Sequence, residues 1–272
     1  MSLTRNPPPA TGFMQTSHFQ HFAPIIRSLS SAELDGTPSL YAKLRIAQDG
    51  PLEVCYAPFE HINPKARLVI MGITPGRTQM LNALRELRRQ LDAGAEPAQA
   101  LHAAKLTGAF SGAMRLNLVA LMDAIGLHGW LGIKSCSELF GVSSELVQTA
   151  SVLRNPVFLS GKNYNGAPSM TRHKLLQSQL LESFGPYAKV LPRAYYVPLG
   201  DEAARALGFL ADRGMLGHGQ ILEGLPHPSG LNGERIAYFL GIKARSALSA
   251  KTNADKLDRQ KAALLQKIQQ LA

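Results

Sequence analysis

Two short segments rich in Gly and Pro lie about 150 residues apart, and each follows an apolar run of strand type. They are residues 72–76, with the sequence GITPG, and residues 227–232, with the sequence HPSGLN. Gly and Pro break the regular backbone there, which frees amide N–H groups and turns side chains beyond the strand ends. A parallel α/β sheet binds its ligands at this edge. The sequence therefore predicts that both segments contribute to one site.

The apolar pattern of the chain predicts four strands with helices between them. The strand candidates are residues 68–71, 152–159, 194–199 and 220–222. Apolar residues at helical spacing predict helices at 81–91, 116–125 and 202–210. This order is typical of a parallel sheet that is covered on both faces. We therefore expect an α/β fold, a three-layer α/β/α sandwich with a short parallel sheet of about four strands.

The length of 272 residues is enough for one sizeable core. Residues 1–18 are polar and Pro-rich and are expected to form a flexible arm. Residues 19–250 are expected to form a single domain. Residues 251–272 carry apolar positions at helical spacing among Lys, Arg and Gln, which predicts an amphipathic helix. Packing of this helix on the domain and contact with a partner fit the pattern equally well.

The chain is basic, with 29 Lys and Arg against 19 Asp and Glu and a net charge of +10. This balance suits a polyanion such as DNA, although many basic proteins bind no nucleic acid. Residues 146–181 contain no Asp or Glu, and basic residues and Asn lie among them. We interpret this stretch, with Lys162 and Asn163, as a strip that faces DNA phosphates. The alternative is an ordinary solvated loop.

The two cysteines, Cys55 and Cys136, cannot supply the thiolates of an iron–sulfur cluster or of a closed Cys-type zinc site. We expect reduced, buried thiols, no metal and no cofactor. No run approaches the 18 or so apolar residues of a membrane span, and Pro residues stand where a secretory signal needs an apolar stretch. The prediction is a cytoplasmic protein that does not bind membranes.

The pair GITPG and HPSGLN resembles the two active-site motifs of the uracil-DNA glycosylase superfamily. Members of this superfamily carry G-x-[D/N/A]-P-[Y/G] early and [H/N]-P-S-[P/G]-L late in the chain. The resemblance covers about residues 58–242. It implies a monofunctional DNA glycosylase, a monomer that hydrolyses the N-glycosidic bond of uracil or another deaminated base in DNA.

The resemblance assigns roles to the late motif. His227 corresponds to the residue that donates a hydrogen bond to the base carbonyl O2, where negative charge accumulates. Ser229 corresponds to a phosphate contact, and Leu231 to the apolar wedge that fills the gap left by the flipped nucleotide. Gly230 and Asn232 complete this predicted DNA contact. Without the motif, His227 reads as a loop residue and Leu231 as a buried hydrophobe.

The early motif departs from the superfamily at Thr74, where the strongest enzymes have Asp and slower ones Asn. A hydroxyl can hold a water but cannot act as a general base. Catalysis would then be slow, rely on His227, borrow a carboxylate from elsewhere, or be absent. Gly72 and Ile73 are predicted to contact the base, and Pro75 and Gly76 the DNA. A catalytically silent protein that binds damaged DNA is the alternative function.

Two further residues are assigned to the base by resemblance. Phe110, in an A-F-S segment, corresponds to the aromatic residue that stacks on the extruded base, although a helical insertion at 81–104 must then be assumed. Asn155 corresponds to the amide that reads the base edge, with Asn163 and Asn165 as rivals. A core Phe and turn-capping Asn residues are the alternatives. An enzyme that acts on a free nucleoside or modified base is a second rival function.

Overall fold

A computed structural model describes residues 17–107 and 112–271, and these residues form an α/β fold. The described residues contain seven strands: β1 (Arg45–Asp49), β2 (Leu52–Cys55), β3 (Leu68–Gly72), β4 (Val147–Ser151), β5 (Val157–Leu159), β6 (Lys162–Asn163) and β7 (Tyr195–Pro198). They contain ten α-helices: α1 (Ser17–Ser28), α2 (Pro38–Lys43), α3 (Arg77–Asp92), α4 (Pro97–Thr107), α5 (Gly112–Ala124), α6 (Leu127–Leu131), α7 (Lys174–Val190), α8 (Asp201–Ala211), α9 (Gly233–Phe239) and α10 (Ala254–Gln269).

Strand β3 is the centre of a parallel sheet. It pairs with β4 on one side and with β7 on the other, both in parallel register. The first four residues of β3 are fully buried, as expected for an apolar run between two neighbours and two covered faces. Beyond β7, Ile221 forms a single parallel bridge with Tyr196, and Leu222 donates its N–H to the carbonyl of Tyr196 at 2.8 Å.

The predicted sheet differs from the observed one in two places. The parallel sheet has three strands, because the candidate at 220–222 contributes only the bridge at Ile221. The candidate at 152–159 is wrong: the parallel strand is β4, and the chain leaves the sheet after it. Pro156 lacks the N–H that a ladder needs, so a strand cannot continue across it. The residues after Pro156 form β5, which belongs to a different sheet.

That second sheet is antiparallel, has the order β1-β2-β5-β6, and is absent from the sequence-based prediction. Strand β2 pairs with β1 and with β5, with Glu53 opposite Phe158. The apolar side chains of this region pack with residues of α1, α3 and α4 into a separate cluster that includes Ile26, Leu84 and Phe158. The cluster joins α1, α3 and α4 to the antiparallel sheet.

The alternating side chains of β3 enter two different apolar clusters. Val69 and Met71 pack with residues of α7 and α8. Leu68 and Ile70 pack with residues of α5, α6, α9 and α10. This alternation follows from the two-residue period of a strand, which sends successive side chains to opposite faces.

The predicted helices are confirmed, with shifted ends. The region 81–91 lies in α3, 116–125 overlaps α5, and 202–210 lies in α8. The predicted C-terminal helix is α10, which packs on the protein through Leu264 and Ile268. The last two residues of the expected flexible arm, Ser17 and His18, begin α1; residues 1–16 lie outside the described ranges. Between residues 17 and 271, no described helix is both long and apolar enough to cross a membrane.

Gly224 provides a test of how α10 is seated. Its φ of +126° is a backbone conformation that L-residues rarely adopt, and a Cβ there would lie 3.1 Å from Gln260 Cβ and 3.1 Å from Leu264 Cδ1. We expect Gly224→Ala to lower the free energy of unfolding by about 2–4 kcal/mol. Urea denaturation measures this change. Gly214→Ala is the control, because Gly214 has a φ of +71° but no neighbour within 4 Å. Equal losses in the two variants would contradict the packing argument.

Candidate functional site

The two Gly- and Pro-rich motifs meet at one cavity, as the sequence predicts. The cavity has a volume of about 540 Å³ and lies at the carboxyl ends of β3, β4 and β7. The early motif contributes four wall residues and the late motif contributes His227. The wall consists of Phe59, Gly72, Ile73, Thr74, Pro75, Thr78, Gln79, Lys105, Met114, Thr149, Ala150, Ser151, Arg154, Tyr164, Asn165, Leu199 and His227.

Hydrogen bonds continue from the sheet into the early motif. The carbonyl of Gly72 accepts from Val152 N at 2.9 Å, and that of Ile73 accepts from Leu153 N at 3.0 Å. Thr74 Oγ1 then donates to the carbonyl of Asn155 at 3.0 Å and accepts from Val157 N at 3.1 Å. The hydroxyl proton of Thr74 is therefore already donated to a backbone carbonyl. A role in holding water stays a prediction and would depend on the remaining oxygen lone pair.

Gly76 ends the early motif as the N-cap residue of α3. Its N–H donates to Gln79 Oε1 at 2.9 Å, and Asn163 Oδ1 accepts from Arg77 N at 3.0 Å. A Cβ on Gly76 would lie 3.4 Å from Asn163 Nδ2. Asn163 thus satisfies one of the free N–H groups at the start of the helix. Lys162, its neighbour in β6, is exposed.

The imidazole of His227 is held in one orientation. Its Nδ1 accepts from Ser229 N at 3.2 Å, which requires that Nδ1 carries no proton. Burial lowers the pKa of His227, so the ring is neutral at pH 7 and its proton is on Nε2. The Nε2–H group is then available to donate a hydrogen bond. Gly200, just after β7, allows close approach, because a Cβ there would lie 3.4 Å from His227 Cβ.

Hydrogen bonds fix Pro228 and Ser229 of the late motif, and Leu231 beyond them is exposed. Asn117 Nδ2 donates to the carbonyl of Pro228 at 2.9 Å, and Asn232 Nδ2 donates to Ser229 Oγ at 3.2 Å. Residues Gly230–Asn232 form a 3₁₀ turn. Leu231 on this turn is 100% exposed, so it is not the buried hydrophobe that the alternative interpretation requires.

Only some of the residues predicted to bind the base line the cavity. Asn155 is only 3% exposed and is not a wall residue, whereas its rival Asn165 lines the cavity. Phe110 lies outside the described residues. Two other rings, Phe59 and Tyr164, are on the wall. Phe59 follows β2, and no periodicity or motif in the sequence connects it to the site.

Three charged residues near the cavity were also missed: Glu60, Lys105 and Arg154. Lys105 comes from α4, and Arg154 from the loop after β4. Burial raises the pKa of the Glu60 carboxyl, and the nearby Arg154 opposes that rise. Burial also lowers the pKa of Lys105 to about 7, and Arg154 adds to that shift. The three residues are far apart in sequence, so only the acid-free stretch around Arg154 gave a signal.

A second cavity of about 560 Å³ adjoins the first and shares Ile73, Asn165, Leu199 and His227 with it. Its wall carries Arg235, Lys251 and Lys256. Lys256 is paired with Asp201 at 2.6 Å, and Arg235 Nη1 donates to Asn232 Oδ1 at 3.1 Å. The wall also carries Asp201 and Glu202, so basic and acidic residues together border the late motif there.

The cysteines are free and buried, as expected. Burial raises the pKa of the Cys55 thiol to about 12, so the thiol is protonated at neutral pH. Within the part of the chain that the structure describes, no group of three His, Cys, Asp or Glu residues is arranged to hold a metal ion.

Comparison with known proteins identifies a relative that aligns with most of the chain. The chain is 36% identical over 222 residues to YoxB of Bacillus subtilis strain 168, which is described as an uncharacterized protein. The alignment covers 80% of this chain and 84% of YoxB. No protein-family model matches the chain, and no solved structure gives a significant match.

The hydroxyl of Thr74 provides a test of the site's construction. Thr74→Val keeps the shape of the side chain but leaves the carbonyl of Asn155 and the N–H of Val157 without their partner. We expect this variant to lower the free energy of unfolding by about 2–3 kcal/mol, measured by chemical denaturation. Thr74→Ser keeps the hydroxyl and should lose less than half as much. A Val variant as stable as the Ser variant would show that the two hydrogen bonds are unimportant.

Proposed function

The chain belongs to the family that includes YoxB of Bacillus subtilis, and we propose that it is a DNA glycosylase related to the uracil-DNA glycosylase superfamily. It would hydrolyse the N-glycosidic bond of uracil or another deaminated base in DNA. The observation that carries the proposal is the meeting of GITPG and HPSGLN at one cavity. The finer architecture, a three-layer α/β/α sandwich, and action as a cytoplasmic monomer without a cofactor belong to the same proposal.

The proposed reaction begins with an extruded nucleotide whose base enters the cavity. A volume of about 540 Å³ is sufficient for a pyrimidine or a purine. The bond between the base nitrogen and C1′ breaks with its electron pair going to the base, and the oxygen of a water adds to C1′. The water loses one proton to solvent, and the departing base anion takes one up from solvent. His227 Nε2–H donates to the base carbonyl on which the negative charge develops. A donor fixed before the reaction contributes on the order of 10²–10³ in rate.

Contact with DNA is assigned to the surface around the late motif. Leu231 is fully exposed on a turn that Asn232 and Asn117 hold in place. An apolar side chain in this position fits the role of a wedge that replaces the extruded base in the stack. Ser229, Lys162 and the cations of the second cavity are candidates for phosphate contacts, and the net charge of +10 favours a polyanion.

A silent protein that binds damaged DNA is the second candidate, and the hydrogen bonds of Thr74 favour it. The early motif offers no carboxylate, and the hydroxyl proton at that position is used by the carbonyl of Asn155. Water activation by the motif is therefore weak. Binding of a flipped base needs only the cavity, His227 and the wedge, all of which the silent protein would retain.

The first test is an assay for abasic sites on oligonucleotides that contain uracil, hypoxanthine or xanthine, in single and double strands. We expect product from the wild-type protein and a loss of at least 100-fold in His227→Ala, because the donor to the leaving base is removed. His218→Ala is the matched control, since His218 is an exposed histidine paired with Asp212. It should retain full activity.

The outcomes of this assay separate the candidates. No abasic product from any base, together with retained binding to the modified oligonucleotides, would replace the glycosylase by the damage-binding protein. Activity on duplex DNA should fall steeply as salt increases, because phosphate contacts release counterions. Activity on a free nucleoside that is insensitive to salt would favour an enzyme of small substrates instead.

The wedge is tested separately with Leu231→Ala. We expect cleavage or binding of a modified base in duplex DNA to fall at least tenfold, with a change of less than threefold on single strands, where no stack must be opened. Stability should not change, because the side chain is exposed. Val142→Ala, at an 85% exposed apolar residue elsewhere, is the control. Equal losses on single and double strands would remove the wedge from the proposal.

A further inference from the structure

We propose that the cavity selects a base that carries negative charge, and that Lys105 and Arg154 form the wall that holds this anion. The inference rests on the proposed function, because it names the class of base that the same site takes. It concerns bases with an acidic substituent or an acidic ring N–H. Uncharged uracil would be a weaker ligand.

The wall of the cavity carries two cations and no carboxylate. Lys105 and Arg154 both line it, and none of the other wall residues is Asp or Glu. Neither cation forms a close ion pair with an acidic residue in the described ranges. The sequence outside those ranges contains no Asp or Glu at all. Asp201 and Glu202 lie on the wall of the adjoining cavity, where Lys256 and Arg205 pair with them.

Glu60 is the acidic residue whose charge interacts with Lys105 and Arg154, and its single negative charge does not neutralise both of them. It is only 8% exposed, and it is not a wall residue. When Lys105 is protonated, one carboxylate against two cations leaves a positive surplus. Burial raises the pKa of the Glu60 carboxyl, and the positive charge of Arg154 and the Tyr56 hydroxyl oppose that rise. Lys105 and Arg154 are half-buried. Charges withdrawn from solvent are normally paired, so the surplus calls for an anion in the cavity.

The other titratable groups near Lys105 add no negative charge. His61 has its pKa lowered to about 4, by burial first and then by the charges of His102 and Lys105, so it is neutral. His227, elsewhere on the wall, is neutral because burial lowers its pKa. Tyr164 has its pKa raised to about 12 by burial and is also uncharged. The cavity therefore combines neutral hydrogen-bonding groups with a cationic side.

The state of Lys105 links anion binding to a proton. Its pKa in the free protein is about 7, because burial and Arg154 disfavour the ammonium form. An anion beside the ammonium raises that pKa, so binding above pH 7 must take up a proton. The affinity for a permanent anion should therefore be highest below pH 7 and should fall as the pH rises. A neutral ligand of the same shape should show no such dependence.

The test uses two free ligands of nearly equal shape, 5-carboxyuracil and its uncharged 5-carboxamide. Calorimetric titration of the wild-type protein at pH 6.5 should give at least tenfold tighter binding of the acid. Between pH 6.5 and 8 the affinity for the acid should fall about eightfold, as a group with a pKa near 7 loses its proton. Titration in two buffers of different ionisation enthalpy should show uptake of up to one proton.

Variants assign the effect to Lys105. Lys105→Met should weaken binding of the acid at least tenfold and change the affinity for the amide less than twofold. Lys105→Arg should keep the tight binding of the acid and remove the pH dependence, because guanidinium stays charged. Lys189→Met is the matched control, since Lys189 is exposed in the last turn of α7, at the opposite end of the parallel sheet. Circular dichroism of each variant checks that it is folded.

The inference is overturned if the acid and the amide bind equally, if the acid does not bind at millimolar concentration, or if Lys105→Met weakens both ligands alike. These results are independent of the glycosylase assay. Excision of uracil without preference for the acid would refute the anionic class and leave the proposed function standing. Preference for the acid without excision of any base would support the anion site and refute the glycosylase.

Discussion

The hydrogen bonding between β3 and β4 does not stop where the two strands end. It continues through the carbonyls of Gly72 and Ile73 and then through the hydroxyl of Thr74, which joins the early motif to the loop after β4. The same loop supplies Arg154 to the cavity wall. Because a parallel ladder fixes both chains in register, the edge of the sheet is a rigid platform. The candidate site depends on these added hydrogen bonds, because they fix the early motif that lines the cavity together with His227.

The chemistry of the cavity depends on which polar and charged groups on its wall are already paired within the protein and which are not. The backbone around Thr74 and the Nδ1 atom of His227 are satisfied within the protein, so they fix geometry. Lys105 and Arg154 are not balanced by the single nearby carboxylate of Glu60. Burial of an unbalanced charge costs free energy that packing elsewhere must offset. These two unpaired cations beside the cavity are the basis on which we propose an anionic base as its ligand.

Sequence reasoning succeeded where a local pattern determines the local structure. The apolar run of β3 and the spacing of apolar residues in α3 and α10 gave the correct elements. It failed at β4, whose polar Gln and Thr residues hide a strand, because the amide of Gln148 is satisfied by Asn63 N and the His61 carbonyl, residues about 85 positions away. The antiparallel sheet was also missed, because its strands are only two to five residues long and its two hairpins are joined by the distant pairing of β2 with β5.

The sequence by itself determined the α/β class, the exit of the early motif from β3 and the helices α3, α5, α8 and α10, because Gly, Pro and apolar periodicity act on the backbone locally. Only the tertiary structure decided which amide lines the cavity, Asn165 in place of Asn155, and that Lys105 and Arg154 lie at the same wall. The distance between residues far apart in sequence depends on strand order and helix packing. No local pattern encodes strand order or helix packing, so the charge balance of the site is fixed only when the tertiary structure forms.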